Sequence, residues 1–231
     1  MILAGGGTAG HIEPALAVAD AINKIDSQME CEFVGTEHGL EKALIPMRGY
    51  KLHLIPKVTL PRHLTLRNVA FPLQLWRTQR AALKVVKGAS LVIGFGGYVS
   101  APVYLAAKRL GVPIVIHEAN ARPGFANRLG RSFAKIVAVN FDSVRAAWPG
   151  AVLTGMPIRE SIAALAEMSK EKREDFRIAS AKKYGLDPNK PIVAIFGKNG
   201  GRIGDNPLTE DEYRSKSREF MDRRISLRWA Y

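Results

Sequence analysis

The strongest constraint on this chain lies in its first thirteen residues. A short apolar stub, Met1-Ile-Leu-Ala4, runs straight into Gly5, Gly6 and Gly7, then Thr8, Ala9, Gly10 and His11. Pro14 follows, and with it an apolar pattern of helical period. A strand that stops at a glycine-rich turn and restarts as a helix presents free backbone N–H groups, a ready seat for an anion or a developing negative charge. His11 sits on the lip of that turn and carries the side chain whose unperturbed pKa suits proton transfer near neutrality. A glycine turn alone can also be nothing more than a tight connection, so the rest of the chain has to decide.

The pattern after it repeats. Residues 1–4 read as a strand and 14–25 as a helix, with Ala15, Leu16, Val18, Ala19 and Ile22 on its apolar stripe. Residues 29–34 read as a second strand ended by Gly35-Thr36, residues 37–47 as a helix and residues 50–55 as a third strand. Residues 89–94 lead into a second glycine turn, Gly94-Phe-Gly-Gly-Tyr-Val-Ser100, before a helix over 102–110. Residues 112–117 form a strand ending in His117-Glu-Ala-Asn120, residues 125–131 a short helix, and residues 136–140 and 151–155 two more strands. This alternation predicts an α/β fold with a parallel sheet covered on both faces. The turns after strands one, four and five all carry polar or glycine chemistry, on the edge where open α/β sheets bind ligands.

Composition narrows the class. At 231 residues with 47% hydrophobic and 24% charged residues, the chain reads as globular and able to bury a core. Its single cysteine, Cys31, excludes a disulfide framework and a cysteine-rich metal site, and fits a reducing compartment. No apolar run reaches the roughly 18 residues of a spanning helix, and no leader-like N-terminus is visible, so a cytoplasmic setting is expected. His38, His53, His63 and Cys31 have no chemical companions and read as structural.

The net charge of +13 is unevenly spread. No Asp or Glu occurs between Glu41 and Glu118, while cations recur throughout that block. Residues 57–87 mix prolines and large apolar residues with basic ones: Leu64, Leu66, Val69, Phe71, Leu75 and Trp76 among Arg62, Arg67, Arg77 and Arg80. Apolar anchors ringed by cations describe a surface that rests on anionic lipid headgroups. The same residues also fit an ordinary loop and helix facing the core. Nucleic acid is not expected, since no binding motif accompanies the charge.

Four motifs, Gly6-Gly-Thr-Ala-Gly-His-Ile-Glu-Pro-Ala-Leu-Ala17, Gly94-Phe-Gly-Gly-Tyr-Val-Ser-Ala-Pro102, His117-Glu-Ala-Asn120 with Pro123-Gly124, and Gly155-Met-Pro-Ile-Arg159, occur in order. Together they resemble the MurG family of peptidoglycan N-acetylglucosaminyltransferases, over residues 1 to about 197. The resemblance implies a Rossmann-like parallel-sheet domain of the glycosyltransferase B architecture. It implies transfer of GlcNAc from UDP-GlcNAc to lipid I, the undecaprenyl-diphosphate-linked muramyl pentapeptide, at the cytoplasmic face of the plasma membrane. No cofactor and no metal are implied, since backbone N–H groups face the diphosphate; proteins of cell-wall or division complexes are implied as partners.

Residue by residue, the resemblance makes His11 a base or an acceptor-site group and places Thr8, Ala9 and Gly10 near the sugar nucleotide. It gives Asn120 and Arg159 to the donor, a guanidinium being suited to phosphate or uracil. Gly96, Gly97, Tyr98, Ser100 and Glu118 belong to the acceptor-diphosphate loops, although Ser100 also reads as a helix cap and Glu118 as a loop brace. Ala9 replaces a common glycine, which a turn accepts where φ is negative. Met156 replaces the usual asparagine.

The expected organisation is an acceptor- and membrane-side domain over 1–160, a helical linker over 161–191 and an incomplete donor-domain remnant over 192–231. Ile192–Phe196 reads as the first strand of that second domain. The next turn, Gly197-Lys-Asn-Gly-Gly201, lacks the family's serine and glutamine, and the charged tail offers no strand-helix alternation. It reads as truncated, shifted or fused, with little transferase activity expected from the chain alone.

Overall fold

The computed structural model describes residues 1–37, 39–58 and 71–189. Seven strands form one parallel sheet: β1 (Ile2–Gly5), β2 (Glu32–Gly35), β3 (Lys51–Leu54), β4 (Val92–Gly96), β5 (Ile114–Glu118), β6 (Ile136–Val139) and β7 (Val152–Leu153). Their order is β3-β2-β1-β4-β5-β6-β7, so the winding reverses between β1 and β4. That reversal puts the first and second glycine turns side by side at the carboxyl edge, where a crevice opens because the connections leave in opposite directions.

Strand alternation explains why both faces are covered. Ile2 and Ala4 point into one core with Val34, Val92, Ile114 and Ile116, under α3 (Phe71–Val86) and α4 (Ser100–Leu110). Leu3 points the other way, with Phe33, Ile93 and Phe95, under α1 (Ala9–Ile25) and α2 (Glu41–Met47). Leu3 and Phe33 are wholly buried; side chains of this size contribute about 1.5–3 kcal/mol each on burial. Among the described residues the remaining α-helices are α5 (Phe125–Gly130), α6 (Asp142–Ala147), α7 (Glu160–Glu167) and α8 (Lys170–Lys183).

Several bounds differ from the sequence reading. Helix α1 begins at Ala9, five residues before Pro14, so His11 stands in its first turn rather than on a preceding loop. Proline removes one helical hydrogen bond, and the buried stripe from Ile12 to Ala19 outweighs that loss. The stretch 161–181 is two helices, α7 and α8, because Met168 takes an extended conformation (ψ 141°). Helix α6 carried no sequence signal long enough to be noticed. The chain divides into two compact units, Met1–Ser169 and Lys170–Tyr231. In the second, α8 carries the Arg177–Glu174 pair at 2.6 Å, and Arg177 also donates to the Pro188 carbonyl. The strand and tail expected beyond Ile192, and Arg62 and Arg67, lie outside the described residues.

Candidate active site

The first turn is built by withholding a cap. Thr8 precedes α1 in extended backbone (φ −143°, ψ 153°) yet makes no capping hydrogen bond. Its Oγ1 lies 3.1 Å from His11 Nδ1 instead. The pair has two forms: Thr8 donates to Nδ1, or Nδ1–H donates to Thr8, and only the second leaves the Nε2 lone pair free to accept a proton. The leading N–H groups of α1, at Ala9 and Gly10, have no intrahelical acceptor by helix geometry. Thr8, Ala9 and Gly10 are all exposed. Ala9 sits in the helix with negative φ, which removes the need for glycine there.

The second turn presses on the first. A Cβ on Gly97 (φ +84°) would stand 2.4 Å from the Gly6 carbonyl oxygen, so backbone meets backbone with no room for a side chain. Gly96 (φ +89°) faces His11: a Cβ there would lie 3.4 Å from the imidazole Nε2. Tyr98 stands 61% exposed over this junction with the Lys57 ammonium 5.4 Å from its ring centre. Ser100 is different. It is fully buried as the first residue of α4, and its hydroxyl reaches the Gly96 carbonyl at 2.7 Å and the Ala4 carbonyl at 2.9 Å. It ties the turn to β1 and offers nothing to a ligand.

Glu118 is likewise spent inside the protein. Buried at the end of β5, its Oε1 accepts from Asn120 N (2.9 Å) and Nδ2 (3.0 Å). Its Oε2 accepts from Gly124 N and Asn127 Nδ2, both at 3.0 Å. Asn120 is exposed, with its amide nitrogen held by Glu118. Asn127 extends the brace, because its Oδ1 accepts from the buried Tyr104 hydroxyl at 2.8 Å. Burial drives that phenol's pKa up, so it remains a donor.

One group at this edge escaped the sequence reading. Glu41, wholly buried at the start of α2, accepts from Thr36 N (2.9 Å), Thr36 Oγ1 (3.0 Å) and Gly7 N (3.0 Å). Burial pushes its pKa up, but the N–H groups of Gly7 and Thr36 outweigh that and hold the carboxyl below the ordinary value. Gly6, Gly35 and Gly39 surround it; a Cβ on any of them would stand within 3 Å of the Glu41 side chain. Those three glycines were the available signal. The Gly7 N–H is therefore not free for an anion, and the seat narrows to the start of α1.

Arg159 precedes α7, 52% exposed, with its Nε 3.4 Å from Glu13 Oε2 on α1. The structure thus brings the first turn, second turn and Arg159 together around α1, while Asn120 belongs to the β5 loop. The basic, apolar segment stands apart. In α3, Thr78, Ala82 and Val86 are buried, whereas Leu73, Leu75 and Trp76 are exposed at the N-terminal half, Phe71 is partly covered, and Arg77 and Arg80 are exposed. Arg80 lies 5.3 Å over the Trp76 ring. Among the described residues no three His, Cys, Asp or Glu side chains could hold a metal ion, and no helix is long and apolar enough to cross a membrane.

Residues 1–139 match the glycosyltransferase family 28 N-terminal domain. A Streptomyces avermitilis protein described as UDP-N-acetylglucosamine--N-acetylmuramyl-(pentapeptide) pyrophosphoryl-undecaprenol N-acetylglucosamine transferase is 49% identical over 203 residues, covering 87% of this chain and 54% of its own length. A Bifidobacterium longum protein of the same description is 41% identical over 214 residues, covering 90% and 53%. The crystal structure of Acinetobacter baumannii MurG superposes with a TM-score of 0.55 at 28% identity, over 73% of this chain and 49% of that one. The chain spans about half the length of these relatives. With its reversed parallel sheet and paired glycine turns, the chain belongs to glycosyltransferase family 28.

Proposed function

We propose that this chain is the acceptor side of an N-acetylglucosaminyltransferase of peptidoglycan synthesis. The reaction moves GlcNAc from UDP-GlcNAc to a hydroxyl of lipid I. The observation that carries this reading is the contact between the two glycine turns, with His11 in the angle between them. The bond from the sugar's anomeric carbon to UDP breaks as the bond to the acceptor oxygen forms. The acceptor proton goes to a base, for which His11 Nε2 stands available when Nδ1–H faces Thr8. Diphosphate charge is met by the N–H groups opening α1, in place of a metal. Arg159 and Asn120 serve the UDP-sugar.

Relatives of the same description use about as much chain again. The 231 residues are therefore assayed both alone and with donor-side residues supplied in trans, which is the second reading. The test is a labelled UDP-GlcNAc transfer assay on a lipid I analogue, with and without an added donor-side half of a relative. Activity that appears on mixing and falls by about 10²-fold or more in His11→Ala fits the proposal and a base worth that factor. No transfer in the mixture counts against it.

The N-terminal half of α3 is the membrane-facing surface in this reading, seated at the cytoplasmic face on anionic headgroups. Exposed Leu73, Leu75 and Trp76 beside Arg77 and Arg80 support it. Trp76→Glu with Phe71→Asp weakens sedimentation with anionic vesicles; unchanged sedimentation removes this part of the proposal.

A further inference from the structure

The segment that carries Arg159 is tied at Gly155 and at Arg159 itself by groups to which no motif assigns a task. His117, at the end of β5, reaches past β6 to the segment after β7, where its Nε2–H donates to the Gly155 carbonyl at 2.9 Å. A carbonyl only accepts, so this bond selects the Nε2–H tautomer of the neutral ring. Nδ1 then carries the lone pair; it is buried, and among the described residues it meets no hydrogen-bond partner. The ring is 4% exposed and lies tilted against Phe95, centroids 5.9 Å apart. Burial holds its pKa below the ordinary value, against the opposing pull of the Gly155 carbonyl and the Glu118 carboxylate.

An orphaned buried nitrogen is costly, and a phenyl ring would fill this space without that cost. What histidine adds here is the bond to Gly155. That bond has work to do, because β7 is two residues long with both Val152 and Leu153 exposed. Gly155 (φ +74°) then turns the chain toward Arg159. From the other side, Glu13 Oε2, a buried atom without a hydrogen bond, faces Arg159 Nε at 3.4 Å. Lys24 and Glu160 pair one residue further on, between the same two helices.

We infer that His117 and Glu13 are positioning residues that set where the Arg159 guanidinium stands at the carboxyl edge, ready for an anionic group of the substrate. The substrate clause rests on the glycosyl-transfer reading; the positioning does not.

The test is NMR on the isotope-labelled full chain. His117→Phe keeps a ring against Phe95 and removes the donor, while His117→Gln restores a donor near the Nε2 position. The Phe variant is expected to speed exchange of the Thr154 amide, which donates to the Val139 carbonyl beside Gly155, about tenfold, the loss of one hydrogen bond's worth of local protection. The amides of β1 and β4 keep their protection, and the Gln variant returns toward the parent. Glu13→Gln moves the Arg159 Nε–H resonance alone. Unchanged exchange at the Thr154 amide in the Phe variant overturns the inference, as does equal loss of protection in β1 and β4, which would mark a core residue. Millimolar UDP is expected to shift the Arg159 Nε–H resonance, less so in the Phe and Glu13 variants. If UDP leaves it unmoved in the parent, the substrate clause falls and the exchange rates alone decide the positioning.

Discussion

Two buried glutamates brace turns along the carboxyl edge, and they do it differently. Glu118 braces the loop that its own strand runs into, and one of its oxygens looks toward exposed Asn120. Glu41 braces a turn 34 residues away in sequence, and both of its oxygens are closed in by Thr36, Gly7 and three glycines. A local brace can relax toward water when it is damaged. A remote brace has less room to do so, because its bonds to Thr36 are buried, although the one to Gly7 is only partly covered.

That contrast is open to measurement. Glu41→Gln must turn its amide toward either Gly7 N–H or Thr36 N–H, setting donor against donor at a part-buried site in the first case and a buried one in the second. It is expected to cost about 3 kcal/mol, within the range for an unsatisfied buried group beside a lost charge, read from urea unfolding at pH 7. A cost under a third of that would erase the distinction between the two braces. The pH dependence sharpens it. Glu41 has its folded pKa held below the ordinary 4.5. Its contribution is therefore fully present above the unfolded value and lost as pH falls through the folded one. The gap between parent and Glu41→Gln should narrow in unfolding midpoints taken from pH 5 down to 3.

Glu118→Gln can turn its amide to Asn120, where water replaces what is lost, so about 1–2 kcal/mol is expected in the same assay. Parity with Glu41→Gln would show the β5 loop to be as closed as the first turn. The smallest effect should come from Ser100→Ala, about 1 kcal/mol for one hydroxyl bond shared between Ala4 and Gly96 carbonyls. Because Ser100 is buried beneath the turn, binding of a diphosphate probe should hardly change. A large loss of binding at full stability would return Ser100 to the ligand side.

The same two glutamates mark how far sequence reading reaches. The sequence places Glu118 in the acceptor-diphosphate loop and offers the brace of Glu118 and Asn120 only as the alternative; the structure shows the bonds of that brace. Glu41 looks like any acidic residue in a helix's first turn; its bond to Gly7 exists only after β2 and β1 pair. Apolar runs placed all seven strands within a few residues, most readily β1, β4 and β5, since a strand buried on both faces has no polar alternation to blur it. The start of α1 was misplaced because Pro14 looks like an opening residue, whereas packing of Ile12 and Ala15 carried the helix back to Ala9. His117 was quoted within a motif and given no task, since its partner at Gly155 is fixed by the sheet order and not by spacing.

The contact between Gly97 and the Gly6 carbonyl has a consequence for how such a cleft can diversify. The gap between the outlets of the first and fourth strands is set by main chain on both sides, so it behaves as a fixed gauge. Side-chain variation cannot widen or narrow it. Adaptation to a different acceptor has to come from what stands around the gauge, beginning with Tyr98 and Lys57 above it.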